Sequence, residues 1–224
     1  MSSYLTFKYI KQNSDVITYI KKADEALAAQ GFTEHSFAHV ERVSHDASMI
    51  LEALNYSERE CELARIAGYM HDIGNVVNRV DHAQSGAIIA FHILEKLNMP
   101  AEEICAIVSA IGNHDEGTAQ PINPIAAALI LADKADVRRS RVRDKTSLLL
   151  KYDIHDRVNF AVEHSELKFN DDKSSLILYL TIDTEISSVM EYFEIFMKRM
   201  LLCKKAAMYL GVKFELIING SVIL

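Results

Sequence analysis

The 224-residue chain lacks several features, and each absence narrows what it does. It has no excess of basic residues: the formal net charge is -7, so no global positive field favours nucleic acid and no nucleic-acid partner is expected. It has no C-x-x-C pair. Cys61, Cys105 and Cys203 stand singly in helical patterns and read as small buried hydrophobes in a reduced compartment. It has no apolar run of membrane length; the longest, residues 125–132, is far too short to span a bilayer. Residues 1–8 carry no signal-like apolar core, so a cytoplasmic protein without a membrane partner is expected. No internal repeat, low-complexity segment or Gly/Ser linker is found. What is present is ordinary globular composition, half hydrophobic and a quarter charged, in a length suited to one domain or to a domain with an appendage.

Helical periodicity dominates the first 135 residues. Ile17, Ile20, Ala23 and Leu27 predict a helix over 14–30 that Gly31 ends. A second, over 36–54, turns His39, Val40, Val43, Ala47, Ile50 and Leu54 to one face. Ser57 and Glu60 form a capping box for a third that runs to His71, with Gly74 placed as its C-cap. His82 opens a fourth, Pro100 a fifth that reaches Gly112, and Asn123-Pro124 a sixth that delivers Asp133. After about residue 150 the pattern changes. Residues 158–169 alternate as a strand, 176–182 form a second, 187–210 a long amphipathic helix and 213–218 a last strand. The fold class expected is mostly α: a helical body over 1–150, and a small α+β subdomain, β-β-α-β, over 151–224.

Within the helices, imidazoles and carboxylates close apolar runs: His39, then His71-Asp72, then His114-Asp115, then Asp133. A lone buried Asp or His would shift its pKa or go neutral, because an unpaired interior charge is costly. Several of them ending apolar helices make sense if a cation sits where they converge. The other histidines, His35, His45, His92, His155 and His164, have no such context and read as structural or surface residues. The Tyr192–Phe196 stretch reads as core or interface.

The ordered set His39, His71-Asp72-Ile73-Gly74 and Asp133-Lys134-Ala135-Asp136 resembles the HD-domain superfamily of metal-dependent phosphohydrolases, over roughly residues 30–145. The resemblance implies an HD-type helical bundle in which His39, His71, Asp72 and Asp133 bind one metal. It implies a second metal held by His82 and His114 with Asp72 bridging, and it leaves Asp115 and Asp136 as further ligands or outer-sphere acceptors. Two departures stand out. Asn75 replaces the lysine that relatives often carry after His-Asp-Ile-Gly. The G-Y-P signature of the cyclic-di-GMP subgroup is also missing after His114.

Mixed imidazole and carboxylate donors suit one or two divalent transition ions, Mn, Fe, Co, Ni or Zn. The activity implied is hydrolysis of a phosphate ester, of a nucleotide or another small phosphorylated metabolite, by a metal-activated water. Asp72, His114 and Lys134 are the catalytic candidates. Lys134, Arg138 and Arg139, from a basic run that continues to Arg141, Arg143 and Lys145, are the candidates for the substrate phosphates. Specificity is expected in the loops at 75–81 and 113–123 and in the tail. Two alternatives are a di-iron oxygenase built on the same ligands and a non-catalytic nucleotide-sensing module. The C-terminal subdomain is a candidate homo-oligomer contact.

Overall fold

A computed structural model describes residues 5–143 and 153–224. Seven helices come first: α1 (Phe7–Gln12), α2 (Ser14–Ala29), α3 (Phe37–Ala53), α4 (Glu58–Met70), α5 (His82–Lys96), α6 (Ala101–Gly112) and α7 (Pro124–Ala135). Single-turn helices lie at Ile73–Val76 and Arg139–Arg141. Then follow α8 (Ile154–Ala161), β1 (Val162–Phe169), β2 (Ser175–Ile182), α9 (Val189–Tyr209), β3 (Lys213–Ile218) and β4 (Ser221–Val222). The mostly helical class with a small C-terminal α+β unit is the one expected from the sequence. Lys145 and the expected boundary near residue 150 lie outside the described residues.

Local chemistry explains most helix ends. The Ser57–Glu60 capping box forms, and a second one, Ser188 with Glu191, opens α9. Asn123 accepts from the Ala126 amide to start α7, and Gly31 follows α2 with a positive φ of 81°. The sixth helix of the pattern, α7, is the centre of the body. It is buried on every side from Ile125 to Ala132 and packs against α3, α4, α6 and α9. A helix apolar all round is one enclosed by neighbours, and α7 is that helix.

The sheet order is β1-β2-β3-β4, with β1/β2 and β3/β4 antiparallel and β2/β3 parallel. The parallel pair needs a crossover, and α9 supplies it while resting on α7. Ser165 of β1 donates to the Ala135 carbonyl at 2.6 Å, fastening the sheet to the end of α7.

Three expectations are corrected. The strand predicted over 158–169 begins only at Val162; Val158 and Phe160 belong to α8, whose start is capped by Asp153. Val158, Ala161 and Val162, all buried, also satisfy the i, i+3, i+4 spacing of a short helix. A fourth strand, β4, follows the third after a turn at Asn219-Gly220. Cys105 is exposed, whereas Cys61 and Cys203 are buried as read.

Gly74 is also not a C-cap. Its φ is not positive, and a Cβ there would lie 1.9 Å from the His82 carbonyl oxygen and 2.4 Å from the Gly86 amide nitrogen. Glycine is required because the backbone after His71-Asp72 presses directly onto the start of α5. That contact brings the His71-Asp72 pair and His82 to one place.

Candidate metal centre

Five helices deliver the donors. His39 sits in the first turn of α3, and His71 and Asp72 follow α4. His82 opens α5, His114 follows α6, and Asp133 is in the last turn of α7. All four histidines are buried, as is Asp72. Each ring is anchored through Nδ1. His71 Nδ1 donates to the Gly68 carbonyl at 2.8 Å, His82 to Arg79 at 3.0 Å, His114 to Ile111 at 2.6 Å, and His39 to Asp136 Oδ2 at 2.7 Å. Committing the proton to Nδ1 leaves Nε2 as a bare lone pair, and all four Nε2 atoms point inward.

There they meet at distances that neutral rings do not tolerate. His39 and His71 Nε2 are 3.3 Å apart, and His82 and His114 Nε2 are 3.2 Å apart. Two neutral rings so placed set lone pair against lone pair. A cation between them removes the conflict. Donors bonded at about 2.0–2.2 Å to one ion lie roughly 3–3.5 Å from each other, the spacing seen here. The donor set therefore fits a divalent transition metal.

Asp72 divides the donors into two groups. Its Oδ2 lies 3.5 Å from His39 Nε2 and 3.2 Å from His71 Nε2, while its Oδ1 lies 3.4 Å from His82 Nε2 and 3.9 Å from His114 Nε2. Asp133 Oδ1 joins the first group, 3.5 Å from His39 Nε2 and 3.7 Å from His71 Nε2. Three mixed groups of donors satisfy ion-binding spacing: His39–His71–Asp72, His71–His114–Asp133 and Asp72–His82–His114. Asp115, a third of its side chain exposed, stands at the edge with Oδ1 3.9 Å from His82 Nε2.

The electrostatics follow from this packing. Burial opposes charge on His71, but Asp72 and Asp133 override it and push its pKa up to about 10. Burial, then the His71 and Lys134 charges, drives His114 down to about 3. Without an ion, the cluster holds its compensating proton at the His71 end. Asp72 and Asp133 stay ionised despite burial, lowered by His71 and by Lys134 respectively.

Asp136 ends α7 and faces His39. It is fully buried, and Arg42, Arg138 and Arg141 surround it at 3.4, 2.8 and 3.6 Å. Burial works against its charge, but the His39 hydrogen bond and the arginines hold the carboxyl far below the usual range. Its place is outside the donor set, orienting a donor. Asn75, read from sequence only as a missing lysine, does the same for Asp72. Its buried amide donates to Asp72 Oδ1 and to the Asp72 carbonyl, both at 2.9 Å.

A cavity of about 220 Å³ opens over the donors; its floor includes Asp72, His82, His114 and Asp133. Lys134 lines it, with Nζ 2.7 Å from Asp133 Oδ2 and 3.8 Å from Glu116. Arg138 and Arg139, expected to meet substrate, do not line it. Arg138 turns to Asp136, Ser140 and Glu34, and Arg139 turns to the Phe160 carbonyl, Glu163 and Asp183.

The cations at the wall are instead Arg79, Arg141 and Arg199. Arg141 is tied to Asp136, and Arg199 pairs with Glu116 while covering the Phe196 ring at 4.3 Å. Arg79 makes no ion pair among the described residues; its guanidinium reaches only Asn75 Oδ1 at 3.4 Å and His82 Nε2 at 3.3 Å. His35 and His155, expected to be bystanders, also line the cavity, as does the start of α8. Arg79 comes from the loop at 75–81 and Arg199 from the tail, two of the regions where specificity was expected. No local signal distinguished them from other surface arginines.

Among the described residues no helix is long and apolar enough to cross a membrane. The chain is similar to an uncharacterised protein of Methanocaldococcus jannaschii, 25% identical over 185 residues, which is 72% of this chain and 70% of that one. A solved structure described as a predicted HD superfamily hydrolase, from an uncultured Thermotogales bacterium, aligns with a TM-score of 0.44 at 24% identity. The alignment covers 55% of this chain and 67% of the other. The family model for the HD domain matches residues 36–161, more than half the chain and all of the donors described above, and the chain belongs to the HD domain family.

Proposed function

We propose that the protein is a metal-dependent phosphohydrolase that cleaves a phosphate ester of a nucleotide or another small phosphorylated metabolite. One observation carries this reading: six convergent donors, split by the two oxygens of Asp72, lie at a cavity whose floor includes Asp72, His82, His114 and Asp133 and whose wall holds Arg79, without a carboxylate partner among the described residues. His39, His71, Asp72 and Asp133 would hold one divalent transition ion, and Asp72, His82 and His114 a second. Such ions supply Lewis acidity, lowering the pKa of a water and polarising a phosphoryl oxygen.

The chain's own groups do the rest. Asn75 and Asp136 fix Asp72 and His39 so that the donors need not reorganise. Lys134 holds a positive charge beside Asp133 at the cavity floor, where a phosphoryl group's developing negative charge is stabilised. Arg79 is free to take a phosphate oxygen pair in its planar fork. Phe196 and the start of α8 close the far wall around the remainder of the substrate. The concentration of cations around the cavity favours hydrolysis of an anionic substrate over the oxygenase reading.

The test is release of inorganic phosphate from a panel of nucleotides, sugar phosphates and an aryl phosphate, with Mn, Fe, Co, Ni or Zn supplied in turn. Turnover that requires both a metal and intact Asp72 is the expected result. Absence of turnover across every metal and substrate, in protein shown to have bound the metal, would overturn the proposal. Arg79→Ala should lower kcat/KM by about 10–100-fold, the worth of a charge-assisted contact, while leaving metal content unchanged.

A further inference from the structure

Helix α9 has two faces of different use. One buries Tyr192, Phe196, Met200 and Cys203 against the body and turns Arg199 into the cavity. The opposite face is open and apolar: Met190 is 75% exposed, Met197 46%, Leu201 56% and Met208 67%. These four recur at steps of seven, four and seven residues, so they form one stripe along the helix, about 27 Å long at 1.5 Å per residue. An apolar stripe of this length marks an interaction surface.

Two charges interrupt the stripe, Glu194 and Lys204. Both are exposed, and neither makes an ion pair among the described residues. The order of residues along the stripe is symmetric about the level of residue 199. Met190 and Met208 are equally distant from it, as are Glu194 and Lys204, and Met197 and Leu201. A two-fold axis at that level, perpendicular to the helix and lying in the plane of the contact, lays a second α9 antiparallel on the first. Met190 then meets the partner's Met208, Met197 meets the partner's Leu201, and Glu194 meets the partner's Lys204. A parallel arrangement would set like charge on like charge.

We propose that the protein forms a two-fold symmetric homodimer by antiparallel pairing of the open faces of α9, with reciprocal Glu194–Lys204 ion pairs between subunits. Isologous contacts of this kind require a self-complementary surface, and the stripe is one. The pairing leaves the cavity open, because Phe196 and Arg199 lie on the other side of the helix. It stands independently of the hydrolase reading.

Sedimentation equilibrium of the full chain tests it. Wild-type protein at tens of micromolar should have twice the chain mass. E194K and K204E should each weaken the dimer tenfold or more, because each sets like charges together, and both should melt as wild type does when all three are compared at a concentration low enough to be monomeric, because the sites are exposed. Mixing the two variants should restore a dimer, since every cross-pair is again opposite in sign, and so should the double variant E194K/K204E. A monomeric wild type, single variants that dimerise like wild type, or a mixture that stays monomeric would each overturn the proposal.

Discussion

His39 and Asp136, 97 residues apart in the chain, meet at 2.7 Å between Nδ1 and Oδ2, both side chains without exposure to solvent. This contact turns the His39 lone pair toward His71 and Asp72, and it gives three arginines their common carboxylate. Asp136→Ala should therefore cost about 3–5 kcal/mol of stability, because buried cationic groups lose their partner. Asp136→Asn keeps an acceptor for His39 but removes the charge. It should weaken metal binding by about 10–100-fold with a smaller loss of stability, read by chelator competition and thermal melts.

Metal removal should loosen the junction of the helices that supply the donors. With ion at a hundredfold excess over Kd, binding to the native state alone adds about 2.7 kcal/mol, so chelation should lower Tm by several degrees. His82→Ala should remove one equivalent of bound metal and keep the other. His39→Ala, in contrast, should remove the ion beside Asp133. Metal analysis of both variants after dialysis decides the matter.

Gly74→Ala should be among the most damaging single-methyl additions in the protein. The new Cβ would meet backbone of His82 and Gly86 well inside contact distance, with no flexible side chain to give way. A loss of roughly 1–3 kcal/mol is expected, together with weaker binding of the ion beside His82, because relief of the clash must move the start of α5. Urea unfolding and metal titration check the two parts.

Glu191 supplies the acid-side prediction. The Arg157 hydrogen bond, then Ser187 and the Ser188 amide, lower its pKa from 4.5 to about 2. The folded pKa is depressed, so the contribution is fully present above 4.5 and is lost as pH falls toward 2. Glu191→Gln should melt below wild type at pH 7, and the gap should narrow steadily between about pH 4.5 and 2. A gap independent of pH would show that the charge contributes nothing.

The helices and the donors were legible in the sequence for the same reason. Apolar period, capping boxes and N-cap asparagine act over one or two turns, so residues 14 to 135 could be read locally. His39, His71, Asp72 and Asp133 stood out because each closes or lines such a helix. The sheet was read less well: Val158 and Phe160 passed for a strand when they complete two turns of α8. Gly74 reads as a cap in the sequence because its real partner, the His82 backbone, is a tertiary neighbour.

What the sequence by itself determined was the set of donors and the helices that carry them, since both depend on short-range pattern. Only the tertiary structure decided which cations face the cavity, that Asn75 grips Asp72, and that Arg138 and Arg139 turn away. A guanidinium on a long flexible stem takes its direction from whichever carboxylate or carbonyl the packing brings within reach. That partner is often a hundred residues distant, as Glu34 is from Arg138, and nothing in the local sequence records it.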